Sequence, residues 1–491
     1  MSLHFESASQ LLRRLQNKEV SALELVDMAI QRMERLDGVI NAVVVRDFDR
    51  AREQARASDA WRAAGKPCGV LHGLPMTVKE SFQVAGLPTT FGHPSMRHHV
   101  AKEDAVAVRR LKSAGAIVMG KTNVPVSLAD WQTFNPVYGT THNPWDTSRT
   151  PGGSSGGSAA ALAAGFSPLE LGSDIGASIR NPAHYCGVWG HKPTWGTVTL
   201  EGHTLVPRAL AETDISAAGP MARSAHDLAL AMEVLSTPLT AWSPLGRVPV
   251  SWNDSGRAPR SCRVGVIWDD AEAEVDDAVA KPLQSLVEWL RRQGVPVVDL
   301  THPKPGEPQR PVDSAEAHDV YIHMLRAITG ARYDQATYEH ARSQAATIVP
   351  GDTSYRARLY RGNTLSYRDF MQYEERRERL RLRWHAFFED FDLLICPVAT
   401  TPAFPLQPTG ERWERMVSVN GQPQPSTTAL FWAGYPALVG LPATAIPVEQ
   451  SPQGLPVGAQ IVTKPYADPL ALRFAAWLES EWRAFKAPPL D

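Results

Sequence analysis

The sequence predicts an α/β fold built on a mainly parallel sheet, with helices on both faces of the sheet. Between Leu71 and Thr197, short apolar runs rich in glycine and serine alternate with helical patterns. Residues 105–120 (AVAVRRLKSAGAIVMG) show one unit of this alternation, a helix that ends near Gly115 and leads into an apolar strand. The same alternation resumes after residue 262.

The N-terminal segment predicts a helix, a strand and a second helix. Ser21 and Glu24 form a capping-box pattern at the start of the first helix, which the sequence ends near Gly38. Residues 40–45 (INAVVV) predict a buried strand, and residues 52–64 return to a helical pattern.

The second half continues the fold. Residues 242–262 are rich in proline, glycine and serine and predict a surface connection. The elements expected after it are a strand over 264–268, a helix over 275–292, a strand at 295–300, a loop over 302–311, mostly helix over 313–390, and strands over 391–396 and 457–462. Asp468 followed by Pro469 is typical of a helix start, with the aspartate as N-cap.

Composition excludes several classes of protein. The chain has 491 residues, of which 43% are apolar and 21% charged, as in an ordinary globular protein. A formal charge of −2 argues against a globally basic nucleic-acid binder. Four cysteines are too few for a disulfide scaffold and favour a reduced, cytoplasmic protein. We expect neither a membrane span nor a signal peptide, because the sequence has no apolar run of sufficient length.

One glycine- and serine-rich segment carries the functional signal. Residues 150–158 (TPGGSSGGS) run directly into an alanine-rich helical segment, which argues against a flexible linker. A phosphate-binding loop is disfavoured because this segment contains neither of the nucleotide-binding motifs G-x-x-x-x-G-K-[ST] and G-x-G-x-x-G. The remaining interpretation is a serine nucleophile site. Residues 172–182 (GSDIGASIRNP) place a serine after small residues, where consecutive N–H groups could face a developing oxyanion.

A lysine segment lies upstream of these serines. Residues 73–80 (GLPMTVKE) form an apolar, strand-like run that reaches Lys79. A lone lysine is usually a solvated surface charge. At the end of a buried strand, however, a lysine can lose its charge by desolvation and serve as a base.

Together these segments resemble the amidase signature family. The sequences GGSSGGSAAALAAG and GSDIGASIRNPAHYCGVWGHKPT match its signature nearly residue for residue, and GLPMTVKES resembles its lysine segment. The resemblance implies the amidase-signature fold, a large twisted mixed β-sheet core covered by helices on both faces, in a single domain of residues 1–491. Its expected parts are an N-terminal helical arm (about 1–65), a signature core (about 70–235) and a variable, substrate-shaping region (about 300–430).

The resemblance also implies roles for individual residues. Ser178 matches the nucleophile, and Lys79 matches the neutral base. Ser154 matches the serine that follows a cis peptide bond and relays the proton between them. The N–H groups that match the oxyanion hole are those of Ile175, Gly176, Ala177 and Ser178. The implied reaction forms an acyl-enzyme and releases an amine, and water then hydrolyses the acyl-enzyme.

Three positions depart from the family pattern. Ala177 stands where the family has a second glycine before the nucleophile. If this position needs a positive φ, the Cβ costs about 1 kcal/mol, or it could instead narrow the carbonyl pocket. Ser173 replaces a threonine and keeps the hydroxyl, and Val126 replaces a common acidic residue. None of these removes the triad.

Aromatic residues suggest the character of the substrate. The candidate substrate-binding residues near the signature are Trp131, Phe134, Tyr138 and Gly153. Further candidates in the variable region are Tyr321, Met324, Tyr333, Tyr338, Trp413, Phe431 and Trp432. We expect most of these to be core residues and a minority to face a substrate, which favours an apolar or aryl acyl or amine group.

The sequence therefore predicts an amidase acting on apolar or aryl amides, with esters or carbamates as related substrates. One alternative is the glutamine-hydrolysing subunit of a tRNA-dependent amidotransferase, which shares this signature and needs a partner subunit. The other is a non-catalytic scaffold, against which the intact triad argues. The expected partner is a small-molecule amide, without nucleic acid, cofactor or metal. The N-terminal helices could support a homodimer.

Overall fold

The computed structural model describes residues 3–204, 211–236, 252 and 257–490. The strands in these ranges are β1 (Val43–Arg46), β2 (Pro75–Lys79), β3 (Ile117–Thr122), β4 (Phe134–Asn135), β5 (Gly139–Thr140), β6 (Leu169–Asp174), β7 (Trp189–Lys192), β8 (Ala217–Ala222), β9 (Val264–Val266), β10 (Val297–Asp299), β11 (Leu393–Pro397), β12 (Met416–Val419), β13 (Gln422–Pro425), β14 (Ala443–Gln450) and β15 (Pro456–Val462).

The helices in the same ranges are α1 (Ala8–Gln16), α2 (Ala22–Ile40), α3 (Phe48–Ala63), α4 (Val106–Ser113), α5 (Gly156–Ala163), α6 (Arg180–Cys186), α7 (Ala225–Leu235), α8 (Asp277–Arg292), α9 (Ser314–Gly330), α10 (Gln335–Ala346), α11 (Tyr355–Asn363), α12 (Tyr367–Asp390), α13 (Leu430–Ala437) and α14 (Asp468–Glu481). None of these helices is long and apolar enough to cross a membrane.

Eleven of the strands form one mixed sheet. Their order is β1, β3, β2, β6, β8, β7, β14, β15, β11, β9 and β10. Among the neighbouring pairs in the described residues, β2–β3, β2–β6, β9–β10 and β9–β11 are parallel and the other six are antiparallel. The mixed sheet implied by the resemblance is confirmed, whereas the mainly parallel sheet expected from the pattern alone is wrong. Strands buried on both faces form continuous apolar runs, which do not indicate strand direction.

The central strands are covered on both faces. Every residue of β2, β3, β6, β8 and β11 is buried, although successive side chains of a strand point to opposite faces. The α/β fold with helices on both faces is therefore confirmed.

The N-terminal capping box is confirmed, but the end of its helix differs from the expectation. Ser21 accepts a hydrogen bond from the N–H of Glu24, whose side chain accepts one from the N–H of Ser21. The helix continues through Gly38 to Ile40, and Asn41 follows it with a left-handed φ of 55°. Asparagine tolerates this conformation, so it serves as the C-cap, and the strand begins only at Val43.

The predicted helical region over 313–390 contains α9, α10, α11 and α12. The predicted connection over 242–262 lies largely outside the described residues. The prediction that Asp468 is the N-cap of the last helix is wrong, because Ala467 holds that position. The Asp468 carboxylate instead accepts hydrogen bonds from the backbone and side chain of Thr194, at 2.8 and 2.6 Å.

The candidate site lies where two parallel strands end side by side. β2 ends at Lys79 and its neighbour β6 ends at Asp174. Because the carboxyl ends of parallel strands meet at one edge of the sheet, the residues that follow them share that edge. The loop over 175–179 and the segment before α5 therefore converge on Lys79.

Candidate active site

Lys79 is held in a buried, polar environment. Its Nζ atom donates hydrogen bonds to the hydroxyls of Ser154 and Ser173, at 2.7 and 2.9 Å, and contacts the Ser173 carbonyl oxygen at 3.3 Å. Burial lowers the pKa of Lys79 to about 7, with the Asp174 carboxylate opposing the shift. A substantial fraction of this amine is therefore neutral near pH 7.

Ser154 sits in a segment that only glycine could precede. The peptide bond between Gly153 and Ser154 is cis, as the resemblance implies. A Cβ on Gly153 would lie 2.3 Å from the carbonyl oxygen of Asp130, which no side chain tolerates. The backbone around Asp130 therefore packs directly against Gly153, next to the Ser154 hydroxyl that accepts the Lys79 hydrogen bond.

Ser178 lies beside this segment. Its carbonyl oxygen accepts a hydrogen bond from the N–H of Ser155 at 3.1 Å. The residue is 5% exposed, so it keeps a small accessible surface in an otherwise buried site. Of the side chains that the structure describes, none forms a hydrogen bond with its hydroxyl. Of the contacts that the expected relay needs, the Lys79–Ser154 hydrogen bond is present among the described residues and a Ser154–Ser178 hydrogen bond is not.

The loop before Ser178 is organised by one carboxylate. Asp174 accepts hydrogen bonds from the backbone N–H groups of Ala177 and Ile179, at 2.9 and 3.1 Å. Ala177 adopts a φ of 63°, the left-handed conformation considered for this position. Its N–H therefore points at Asp174 and is occupied.

The other N–H groups of the loop differ from that of Ala177. Within the described ranges, no acceptor hydrogen-bonds to the N–H of Ile175, Gly176 or Ser178. Three of the four predicted oxyanion donors thus form no hydrogen bond with the described residues.

The structure separates the predicted substrate-binding residues. Trp131 lies at the loop, because its indole N–H donates to the carbonyl oxygen of Gly176 at 2.7 Å. The Phe134 ring instead contacts the Arg415 guanidinium, 5.7 Å from the ring centre. Tyr138 donates its hydroxyl to Glu80 at 3.3 Å. Trp131 and Gly153 therefore border the Ser154–Ser178 region, whereas the contacts of Phe134 and Tyr138 are with other groups.

Among the aromatic candidates of the variable region, one reaches the loop. The Tyr321 hydroxyl donates to the carbonyl oxygen of Ile175 at 3.1 Å. Leu430 lies close as well, 3.7 Å from where a Cβ on Gly176 would be. The buried members of the remaining set are Met324, Phe431 and Trp432, and the more exposed ones are Tyr333, Tyr338 and Trp413. No feature of the sequence distinguishes Tyr321 from these other candidates.

A second buried polar group lies one strand away. Glu170 on β6 accepts a hydrogen bond from the Thr77 hydroxyl on β2, two residues before Lys79. Burial raises the pKa of Glu170 to about 8, although hydrogen bonds from Thr77, Ser158 and Thr122 oppose the shift. This carboxyl group is therefore mostly protonated near pH 7.

Comparisons with known proteins identify the class. The sequence model of the Amidase family matches residues 24–472. Indoleacetamide hydrolase from Bradyrhizobium diazoefficiens is 32% identical over 486 residues, covering 96% of this chain and 86% of that protein. The A subunit of glutamyl-tRNA(Gln) amidotransferase from Anaeromyxobacter dehalogenans is 33% identical over 489 residues, covering 96% of this chain and 95% of that protein.

A solved crystal structure of an amidase agrees with these relatives. It is 30% identical to this chain with a TM-score of 0.76, and the match covers 97% of this chain and 99% of that one. The chain belongs to the Amidase family. It is accordingly an amidohydrolase, an enzyme that acts on amide C–N bonds.

Proposed function

We propose that the protein is a free-standing serine amidase with Ser178 as nucleophile, Lys79 as base and Ser154 as proton relay, acting on apolar or aryl amides. The observation that carries this proposal is the 2.7 Å hydrogen bond from Lys79 to Ser154. A buried amine with a pKa of about 7 can accept a proton near neutral pH, which an exposed lysine cannot.

The first stage of the proposed reaction forms an acyl-enzyme. The Ser178 Oγ atom attacks the amide carbonyl carbon, and its proton passes through the Ser154 hydroxyl to Lys79 Nζ. The carbonyl oxygen becomes an oxyanion, stabilised by free N–H groups of residues 175–178. When the C–N bond breaks, the same relay returns the proton to the departing nitrogen, because an unprotonated amide nitrogen is a poor leaving group.

The second stage repeats this chemistry with water. Water loses a proton to the relay and attacks the acyl carbon. The ester bond to Ser178 then breaks, and the serine oxygen recovers its proton. The products are a carboxylic acid and a free enzyme, so each turnover consumes one water molecule and needs no cofactor.

The preference for aromatic substrates rests on two observations. Trp131 and Tyr321 border the loop that precedes Ser178. The similar indoleacetamide hydrolase is named for an amide that bears an aromatic ring. Esters and carbamates of the same shape are related candidates.

A second candidate is supported by similarity alone. The match to the A subunit of glutamyl-tRNA(Gln) amidotransferase covers nearly the whole of both chains. Under this alternative the protein would hydrolyse glutamine together with a partner subunit.

The deciding experiment measures amine release from three substrates by the purified chain. These are an aryl anilide, a carbamate with the same leaving amine, and indoleacetamide, with Ser178→Ala as the blank. We expect turnover by the wild type and none by Ser178→Ala. Turnover retained by Ser178→Ala would refute the mechanism. Ammonia release from glutamine, with no activity on the aryl substrates, would favour the amidotransferase alternative.

A further inference from the structure

Two side chains from distant parts of the chain hydrogen-bond to successive carbonyl groups of the loop over 175–178. The Tyr321 hydroxyl donates to Ile175, and the Trp131 indole donates to Gly176. We propose that Tyr321 and Trp131 are positioning residues that fix the backbone of this loop, so that the Gly176 N–H remains free to bind the oxyanion while the Ala177 N–H is held by Asp174. This inference rests on the proposed function.

The geometry of the peptide bond links each carbonyl to the next N–H. A trans peptide unit is planar, and its C=O and N–H point in opposite directions. Neither bond on the two sides of Gly176 is cis. The hydrogen bond to the Ile175 carbonyl therefore aims the N–H of Gly176 away from Tyr321. In the same way, the bond to the Gly176 carbonyl aims the N–H of Ala177 away from Trp131.

The observed partners agree with this arrangement. The N–H of Ala177, whose direction the Trp131 bond fixes, donates a hydrogen bond to the Asp174 carboxylate at 2.9 Å. The Gly176 N–H, set by Tyr321, has no acceptor in the part of the chain that the structure describes. The Trp131 bond thus anchors the loop, and the Tyr321 bond leaves one amide open for a developing oxyanion.

The Tyr321 bond also polarises that amide. A donor at a carbonyl oxygen strengthens the dipole of the whole peptide unit, and such effects are larger where water is excluded. The Tyr321 side chain is fully buried, and Gly176 is buried as well. Burial raises the pKa of Tyr321 above its ordinary value, so the hydroxyl keeps its proton and remains a donor at neutral and alkaline pH.

A glycine on α13 allows Tyr321 to reach the loop. A Cβ on Gly434 would lie 2.2 Å from the tyrosine ring, so any other residue would push the ring away. The close contact between α9 and α13 therefore places the hydroxyl within hydrogen-bond distance of Ile175. Because neither Tyr321 nor Trp131 is hydrogen-bonded to Ser178, Ser154 or Lys79, their effect passes through the backbone.

The test compares Tyr321→Phe with a matched control. Phenylalanine keeps the ring that packs on Gly434 and removes only the hydroxyl. The control is Tyr435→Phe, since Tyr435 is a buried tyrosine on α13 whose hydroxyl has no partner among the described residues. For each purified variant we would measure kcat, KM and the inhibition constant of a trifluoromethyl ketone analogue of the best substrate. The Ser178 oxygen adds to this ketone, and the ketone oxygen becomes an oxyanion.

For Tyr321→Phe we expect kcat to fall about tenfold, less than for deletion of an oxyanion donor, with KM changed less than twofold. The inhibition constant of the ketone should rise by a similar factor, since both quantities report oxyanion binding. Tyr435→Phe should match the wild type in all three. A second variant, Trp131→Phe, removes the other donor and should also lower kcat, together with any change in KM that the smaller ring causes.

Three results would overturn the proposal. In the first, Tyr321→Phe and Tyr435→Phe have equal kcat and equal ketone affinity, while Ser178→Ala is inactive. This result would refute the role of Tyr321 and leave the proposed function intact. Another is a raised KM and a lowered thermal stability with unchanged ketone affinity, which would show a merely structural role. The third is turnover retained by Ser178→Ala, which would remove the proposed function and this inference together.

Discussion

The carboxylate of Asp174 and the guanidinium of Arg180 form a bidentate ion pair that joins the two ends of the loop over 175–179. The Oδ1–Nη2 and Oδ2–Nε distances are both 2.9 Å, and both side chains are fully buried. Burial alone would raise the pKa of Asp174, but Arg180 and the loop N–H groups hold it below its ordinary value. The carboxylate therefore remains charged and continues to accept the hydrogen bonds from Ala177 and Ile179 that hold the loop in its conformation.

Replacement of Arg180 by methionine should destabilise the fold strongly. The change leaves the buried Asp174 carboxylate without its counter-ion, which typically costs about 3–5 kcal/mol. Urea denaturation would measure the free energy of unfolding. Arg483→Met is the matched control, because Arg483 pairs with Glu449 at the surface and its loss should cost less than about 1 kcal/mol. Equal effects of the two substitutions would contradict the assigned role of the buried pair.

Activity should depend on pH through Lys79. Burial lowers the pKa of this amine to about 7, and only its neutral form accepts a proton. We therefore expect kcat/KM to rise as pH increases through about 7 and to level off above about pH 8. The measurement is a profile from pH 5.5 to 9.5 on a substrate whose chemical step limits the rate. A profile flat from pH 6 to 9 would exclude Lys79 as the base.

Two adjacent serines should differ in their effect on catalysis. Ser154 accepts the Lys79 hydrogen bond, whereas the Ser155 hydroxyl forms one hydrogen bond within the described residues, to the Ser173 carbonyl oxygen at 3.4 Å. Ser154→Ala should lower kcat at least about a hundredfold, since it removes the proton relay. Ser155→Ala should stay within about threefold of the wild type, with circular dichroism confirming that both variants fold. Similar losses in both would argue against a relay through Ser154.

Ala177 should accept glycine but not valine. Its φ of 63° is unfavourable for any residue with a Cβ and costs most for β-branched residues. Ala177→Gly should change the free energy of unfolding by less than about 1 kcal/mol, because relief of strain is offset by greater freedom of the unfolded chain. Ala177→Val should destabilise by about 2 kcal/mol or more. Chemical denaturation distinguishes the two, and a stable valine variant would mean that the loop adopts another conformation.

The effect of Glu170→Gln on the free energy of unfolding should increase as pH rises. The folded-state pKa of Glu170 is raised from 4.5 to about 8. Between pH 4.5 and about 8, Glu170 is ionised in the unfolded chain but still protonated in the folded protein. The free energy of unfolding of the wild type therefore falls as pH increases through this range. Glu170→Gln lacks this loss. Relative to the wild type, it should gain roughly 3–5 kcal/mol between pH 5 and pH 9.

The measurement for Glu170→Gln is urea unfolding at pH 5, 7 and 9. Glu479→Gln offers a comparison, because that carboxyl is less buried and its pKa is raised to a lesser degree. A stability difference that does not change with pH would show that Glu170 is ionised in the folded protein.

The burial of Lys79 could be predicted because its signal is local: an apolar run that ends at a lysine indicates a buried strand end. The placement of Ser154 beside Lys79 was implied only by the resemblance to the family, because the two residues are far apart in sequence. The direction of the strands could not be predicted, since burial on both faces hides it. The end of α2 at Ile40 rather than near Gly38 depends on which residue adopts the left-handed conformation, here Asn41, and tertiary contacts decide this.

The difference in hydrogen bonding among the N–H groups of residues 175–178 also could not be predicted from the sequence. Four consecutive N–H groups are equivalent in a motif, but the φ of Ala177 turns one of them toward Asp174. Tyr321 lies 146 residues from the carbonyl that it contacts, and only the packing of α9 on α13 brings the two together. Long-range contacts of this kind leave no pattern in nearby residues.

The bond from Tyr321 to the Ile175 carbonyl has a practical consequence for protein engineering. Helix α9 supplies a hydrogen-bond donor to the loop beside Ser178, and Gly434 on α13 gives the tyrosine ring the space that it needs. Under the proposed role of Tyr321, a library that randomises α9 should keep Tyr321 and Gly434 fixed, because loss of either contact should lower turnover.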